Sequence, residues 1–184
     1  MSILTILDIN SEIMYNEMLY IDLFNFFKAM GTKMKSVYIL RGLPGSGKTH
    51  LASSMKATNS NMAVVSADDY FMKDGAYQFD PRDLPQAHAC CIARFLEHIS
   101  AGKNVVVDNV HSRIWEYQNY ITIALLFGYE VSVLEIECPD QETLERFQAR
   151  NVHGVPLFSM ERMWTRWEYD QRAKTAHLLE VTAV

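Results

Sequence analysis

From residue 36 onward the apolar positions follow two rhythms: short β-branched runs, and longer stretches with apolar residues at helical spacing. Val37-Tyr38-Ile39-Leu40-Arg41 predicts a first strand, and His50-Leu51-Ala52-Ser53-Ser54-Met55-Lys56 a helix reaching about Ala57. Met62–Ser66 predicts a second buried strand. Asn104–Asp108 predicts a third, a continuous β-branched run of the kind covered on both faces. Glu130–Glu137 predicts a fourth. Leu84–Ser100 reads as a helix with Leu84, His88, Cys91, Phe95 and Ile99 on one stripe, closed by Ala101-Gly102. Ile114–Phe127 is a second such helix, ended by Gly128. Pro139-Asp140 opens a third. Pro156 opens the last, with Met160, Met163, Trp164 and Trp167 on its apolar side. Strands alternating with helices imply right-handed crossovers, and so an α/β fold of three layers around a mainly parallel sheet. Ligands of such sheets bind beyond the carboxyl ends of the strands.

Gly42-Leu43-Pro44-Gly45-Ser46-Gly47-Lys48-Thr49 lies between the first strand and the first helix, where such a site belongs. It fits the G-x-x-x-x-G-K-[ST] phosphate-binding loop (P-loop), and the flanking strand and helix supply the context the motif requires. The glycines let backbone amides turn inward around a phosphate, and the helix that follows points its positive end at the same anion. Lys48 is placed between the β- and γ-phosphates, and the Thr49 hydroxyl on Mg²⁺. Gly42, Pro44, Gly45, Ser46 and Gly47 complete the expected ATP-binding loop. The fold expected is a P-loop NTPase like the nucleoside monophosphate kinases, with a small helical lid.

Composition narrows the partners. A net charge of −5 argues against a broad basic surface that wraps duplex nucleic acid, but not against gripping one strand end with a few local cations. Cys90, Cys91 and Cys138 include no C-x-x-C pair for zinc, and free thiols in a cytoplasmic protein are expected. No apolar run reaches the roughly 18 residues of a spanning helix, so no membrane partner is expected. Residues 1–34 lie outside the alternating pattern and are expected to form an N-terminal extension, helical over Ile13–Phe27. Residues 35–184 are expected to be the catalytic domain.

Acidic residues stand at the ends of the second and third predicted strands. Asp68 and Asp69 follow the second strand; in P-loop kinases the acceptor lies there, and a carboxylate takes the proton of the attacking hydroxyl. Asp68 is the first choice as base and Asp69 the alternative. Asp108 ends the third strand, where a carboxylate holds Mg²⁺ or orients the acceptor. Arg146 and Arg150 share a helical face ahead of the loop Asn151–Val155, either as arginines of a lid or as a solvated face. Arg162 and Arg166 read as structural, paired with Glu161 or Asp170. His88 sits on the apolar stripe as a core histidine that could also reach the acceptor side. Tyr70, Phe71, Tyr77 and Phe79 either stack on a base or roof the core.

Gly42–Thr49, Ser66–Phe71, Phe79-Asp80-Pro81, Ala87-His88, Val107-Asp108-Asn109, Trp115-Glu116, Arg150–Pro156 and Met160–Glu168, in this order, resemble the polynucleotide-kinase-like P-loop kinases. The resemblance covers about residues 36–170. It implies Asp68 as general base, Asp108 at the acceptor or metal, and Arg150 as the lid arginine near the β- and γ-phosphates. It further implies γ-phosphoryl transfer from Mg·ATP to the 5′-OH of a polynucleotide end. One position departs from the pattern of that family's bacteriophage polynucleotide 5′-kinase: Phe71 stands where that enzyme has an acceptor-gripping arginine, and Arg82 or Lys73 could substitute. No separate phosphatase domain is expected. The alternatives are a kinase of a nucleoside, sugar or antibiotic hydroxyl, and a nucleotide-gated binding module with weak ATPase activity.

Overall fold

The computed structural model describes residues 34–176. The four predicted strands form and lie side by side: β1 Ser36–Arg41, β2 Met62–Val65, β5 Asn104–Asp108 and β6 Glu130–Glu135. A fifth, β7 Ala173–Thr175, joins beyond them. The order across the sheet is β2-β5-β1-β6-β7, and every pairing is parallel. From β1 the chain crosses to β2 and returns through β5, then moves to the other side of β1 for β6. The centre of the sheet is therefore a topological switch point, where α/β folds bind ligands. Register sets the strand ends level there: Leu40 lies opposite Asp108, and Arg41 opposite Glu135.

Five helices complete the layers: α1 Lys48–Thr58, α2 Leu84–Ser100, α3 Trp115–Leu126, α4 Gln141–Arg150 and α5 Leu157–Thr165. Side chains alternate between sheet faces along each strand. Val37, Ile39, Val105, Val107 and Val133 join the core cluster that includes Cys91, Phe95 and Ile99 of α2 and Tyr117, Tyr120 and Ala124 of α3. Leu40, Val106 and Met62 cluster with Ala52, Leu51 and Met55 of α1. A third cluster ties the phosphate loop to the lid: Leu43 with Leu144 and Phe147 of α4 and Met160 of α5. The Asp140 carboxylate caps α4 by accepting from the Thr143 amide at 2.8 Å, which fixes where the lid begins.

Several boundaries differ from the sequence expectation. β6 stops at Glu135 rather than Glu137, although the Ile136 amide still bonds the Arg41 carbonyl at 2.9 Å. Trp167 lies beyond the last helix, which ends at Thr165. The stretch Ala67–Asp83, read as a loop, contains two 3₁₀ turns, Asp68–Phe71 and Pro81–Asp83, and a hairpin of β3 Met72–Lys73 and β4 Ala76–Tyr77. Asp74 (φ 52°) and Gly75 (φ 79°) make the hairpin turn, as a two-residue turn with both central residues left-handed requires. The expected N-terminal extension, Met34 apart, lies outside the described residues.

Candidate active site

The phosphate loop is held open by close backbone approach. A Cβ on Gly45 (φ 73°) would stand 1.9 Å from the Phe147 carbonyl oxygen of α4, and one on Gly42 2.7 Å from Ser46 Oγ. At Gly45 the neighbour is backbone and only glycine fits, whereas at Gly42 the Ser46 hydroxyl would have to move. The Ser46 amide bonds the Leu43 carbonyl at 3.1 Å, and α1 starts at Lys48 directly behind the loop. Ser46 Oγ is buried without a hydrogen-bond partner. A phosphate oxygen would supply that partner, so the loop fits the nucleotide that its motif implies.

Lys48 is buried, and its ammonium donates to the Leu43 carbonyl at 3.0 Å. Burial holds the Lys48 pKa below its ordinary value, and the carboxylates of Asp108 and Asp68 oppose part of that shift. Thr49 Oγ1 donates to Asp108 Oδ2 at 2.8 Å. Burial raises the Asp108 pKa, against the pull of Lys48 and of the Thr49 hydrogen bond. Burial is the largest cause of both shifts, and the two charges partly compensate each other. Among the described residues no three His, Cys, Asp or Glu side chains cluster as metal ligands. A magnesium ion here would take Thr49, Asp108, nucleotide oxygens and water, the sparse protein ligation usual for that ion.

Across the switch point, Asn109 fixes the turn after β2: its Oδ1 accepts from the Ala67 amide at 2.9 Å. The two adjacent aspartates then separate. Asp69 is ion-paired to Arg94 of α2 at 2.8 Å, whereas Asp68 accepts from the Tyr77 hydroxyl at 3.0 Å and has its side chain 52% exposed. Asp68 is the one of the two whose charge couples to Lys48. Two acceptor-side expectations need correction. Phe71 is fully buried in the cluster with Ala87, Cys91 and Phe95, so it offers the site no surface; burying a phenylalanine stabilises by about 1.5–3 kcal/mol, and packing is its role. His88 is exposed rather than a core histidine.

Arg146 and Arg150 are both exposed on α4. Arg146 donates to Thr143 Oγ1 at 2.9 Å, and the Arg150 guanidinium rests 5.3 Å from the Phe147 ring centroid. Phe147 is the residue whose carbonyl abuts Gly45, so Arg150 stands one helical turn from the phosphate loop. Of the substitutes expected for the missing cation, Arg82 is held by both oxygens of Asp80, while Lys73 lies 5.7 Å from the Tyr70 ring. Arg166 bonds Ser112 Oγ at 3.1 Å and faces Glu116, and Asp170 pairs with Arg172; the expected partners Glu161 and Asp170 are not those of Arg166.

Sequence reasoning missed Arg41. It is fully buried at the end of β1, paired with Glu135 at 2.7 Å, and donates to the carbonyls of His111 (3.0 Å) and Glu168 (2.7 Å). Its guanidinium also lies between the rings of Tyr117 (5.2 Å) and Trp167 (4.8 Å). It ties β1, β6 and the segment after α5 together immediately behind the phosphate loop. Arg94 was missed as well, and Tyr77 and His153, read as an aromatic and as part of the lid loop, were not expected beside Asp68.

Residues 37–170 match the family model described as AAA domain. The chain belongs to this P-loop family. The resemblance to polynucleotide-kinase-like P-loop kinases is borne out by its relatives. Human NEDD4-binding protein 2 is 32% identical over 131 residues, covering 71% of this chain and 7% of that protein. The chain thus spans a small part of that relative's length. Among solved structures, a chain of the Pnkp1/Rnl/Hen1 RNA repair complex superposes with a TM-score of 0.59 at 23% identity, covering 73% of this chain and 44% of that one. A gluconokinase from Sinorhizobium meliloti superposes with a TM-score of 0.52 at 14% identity, covering 77% and 82%. At these identities the structural likenesses establish the fold, that of a P-loop kinase. Among the described residues no helix is long and apolar enough to cross a membrane.

Proposed function

We propose that this chain is an ATP-dependent kinase that moves a γ-phosphoryl group to a hydroxyl, with the 5′-OH of a polynucleotide end as acceptor. One observation carries the reading: an accessible carboxylate, Asp68, shares the field of the phosphate-loop Lys48, while its neighbour Asp69 is tied up by Arg94. Lys48 and the loop amides bind the β- and γ-phosphates, and Arg150 approaches from the lid as charge spreads over the equatorial oxygens. Mg²⁺, held by Thr49 and Asp108, would neutralise charge on the phosphate oxygens. Asp68 accepts the proton from the attacking hydroxyl, the new O–P bond forms, and ADP departs. The polynucleotide acceptor is supported by the run Arg150–Pro156 and by the likeness to the RNA repair complex.

A second reading, a small-molecule kinase, is favoured by one feature: with Phe71 buried and Arg82 bound to Asp80, Lys73 is what remains of the cations expected on the acceptor side. Incubation with γ-labelled ATP and 5′-OH RNA or DNA oligonucleotides, in parallel with nucleosides and gluconate, separates the two. Label on oligonucleotide ends supports the first. Label only on small molecules rejects that acceptor. Tight ATP binding with label on neither leaves the binding module.

A further inference from the structure

Asp68 is half-exposed at the start of a short 3₁₀ turn, and a carboxylate so placed has little to hold it in one rotamer. The neighbouring hairpin supplies a hold. Its left-handed turn at Asp74-Gly75 sends β4 back along β3, and Tyr77 at its end donates to Asp68 Oδ1 at 3.0 Å. The Tyr77 ring is fixed in turn by aromatic neighbours, Phe71 at 6.0 Å and Phe79 at 6.4 Å between centroids. From the opposite side, His153 of the loop after α4 lies against both members of the pair. Its ring is 4.4 Å from that of Tyr77, and its Nε2 is 3.9 Å from Asp68 Oδ2. His153 is presented there by Asn151, which accepts from the His153 amide at 3.2 Å and donates to the Val155 carbonyl at 2.8 Å.

We infer that Tyr77 is a positioning residue for Asp68, and that His153 couples the lid loop to the same carboxylate. The inference rests on the kinase reading and adds to it. With Oδ1 engaged by the Tyr77 hydroxyl, Oδ2 is left for the proton of the attacking hydroxyl. Tyr77 does not trade protons itself, because burial and then the Asp68 charge hold its phenol protonated far above the working range. His153 lies three positions after Arg150. The end of α4 that carries Arg150 therefore leads directly into the loop that reaches Asp68. Lid position and base orientation are set together, so a lid that is out of place leaves Asp68 less well aimed.

The test uses the full chain, γ-labelled ATP and whichever hydroxyl acceptor the wild type phosphorylates. Tyr77→Phe keeps the ring packing and removes only the hydroxyl. It should lower kcat about tenfold while KM for ATP and the melting temperature stay at wild-type values, because misaiming a catalytic group lowers the rate of the chemical step alone. His153→Ala should lower kcat several-fold with ATP binding unchanged. The deciding measurement is single-turnover transfer in an Asp68→Asn background. There Tyr77→Phe should have no further effect, since the group it positions is gone. Wild-type kcat in Tyr77→Phe overturns the inference, and so does an undiminished tenfold loss in the Asp68→Asn background. Transfer of label by the wild type to no hydroxyl at all would instead remove the kinase reading, and the inference with it.

Discussion

His111 lies in the loop after β5, and its burial makes a prediction about acid stability. It follows β5 with φ 51°, is 2% exposed, and packs against the rings of Tyr117 (5.3 Å) and Tyr120 (6.0 Å). Nδ1 lies 2.9 Å from the Leu40 carbonyl, which fixes the proton on that nitrogen, and Nε2 has no partner. Burial pushes the pKa down from 6.5 to about 3; the Leu40 carbonyl opposes this, and the charges of His88, Lys48 and Arg41 add to it. The unfolded chain takes up this proton near pH 6.5, whereas the folded chain does not until about pH 3. Between these values the unfolded state binds more protons. The contribution of neutral His111 is thus fully present above pH 6.5 and is lost as pH falls, at about 1.4 kcal/mol per pH unit. At pH 5 the loss from this one group is about 2 kcal/mol. His111→Asn removes the titration while tolerating the left-handed backbone. Urea unfolding of both proteins at pH 7 and pH 5 is the assay. Other groups titrate in both proteins, so the difference of differences isolates His111. The wild type should lose about 2 kcal/mol more than the variant between the two pH values. Equal losses would refute the assignment of a neutral, buried imidazole.

Three further outcomes follow from the site's geometry. Gly45→Ala puts a methyl group 1.9 Å from the Phe147 carbonyl and strains a left-handed residue by about 1–2 kcal/mol, so loop and lid must part. KM for ATP should rise at least about tenfold, measured by steady-state kinetics, and unchanged kinetics would contradict the packing described. Asp68→Asn should lower kcat by about 10²–10⁴, whereas Asp69→Asn, which breaks only a half-exposed pair with Arg94, should stay within a few-fold of wild type and cost about 0–1 kcal/mol of stability. On the proposed polynucleotide reading, Phe79, 51% exposed beside Tyr77, would meet an unstacked base. Phe79→Ala should raise KM for a 5′-OH oligonucleotide several-fold and leave a small hydroxyl acceptor unaffected, and equal effects on both would exclude stacking.

The phosphate half of the site was legible in the sequence, and the acceptor half was not. The reason is the range over which each is built. Gly42 to Thr49 form one contiguous turn whose requirements are local: glycine where a Cβ would meet Ser46 or Phe147, lysine at the head of a helix. Asp108 was equally readable, because a β-branched run followed by an aspartate marks a buried strand and its end. The hairpin also had a local signal, Asp74-Gly75 between short flanks, but two-residue strands are too brief for alternation to show. What separates Asp68 from Asp69 is not local at all. Arg94 approaches from α2, His153 from the loop after α4, and only the folded sheet brings either to the turn after β2. Arg41 is the extreme case. It reads as a polar end to a strand, yet one of its hydrogen bonds spans 127 positions to the Glu168 carbonyl. A buried guanidinium needs all its partners at once, since removing one leaves charge unpaired in the core. Phe71 shows the same limit from the other side. Its place three residues after Asp68 pointed to the acceptor, but the 3₁₀ turn delivers its ring to the core under α2. A cation lost at that position therefore need not be replaced there. The hairpin and lid loop bring Tyr77 and His153 to Asp68, so the surroundings of this carboxylate are built from segments outside the strand ends.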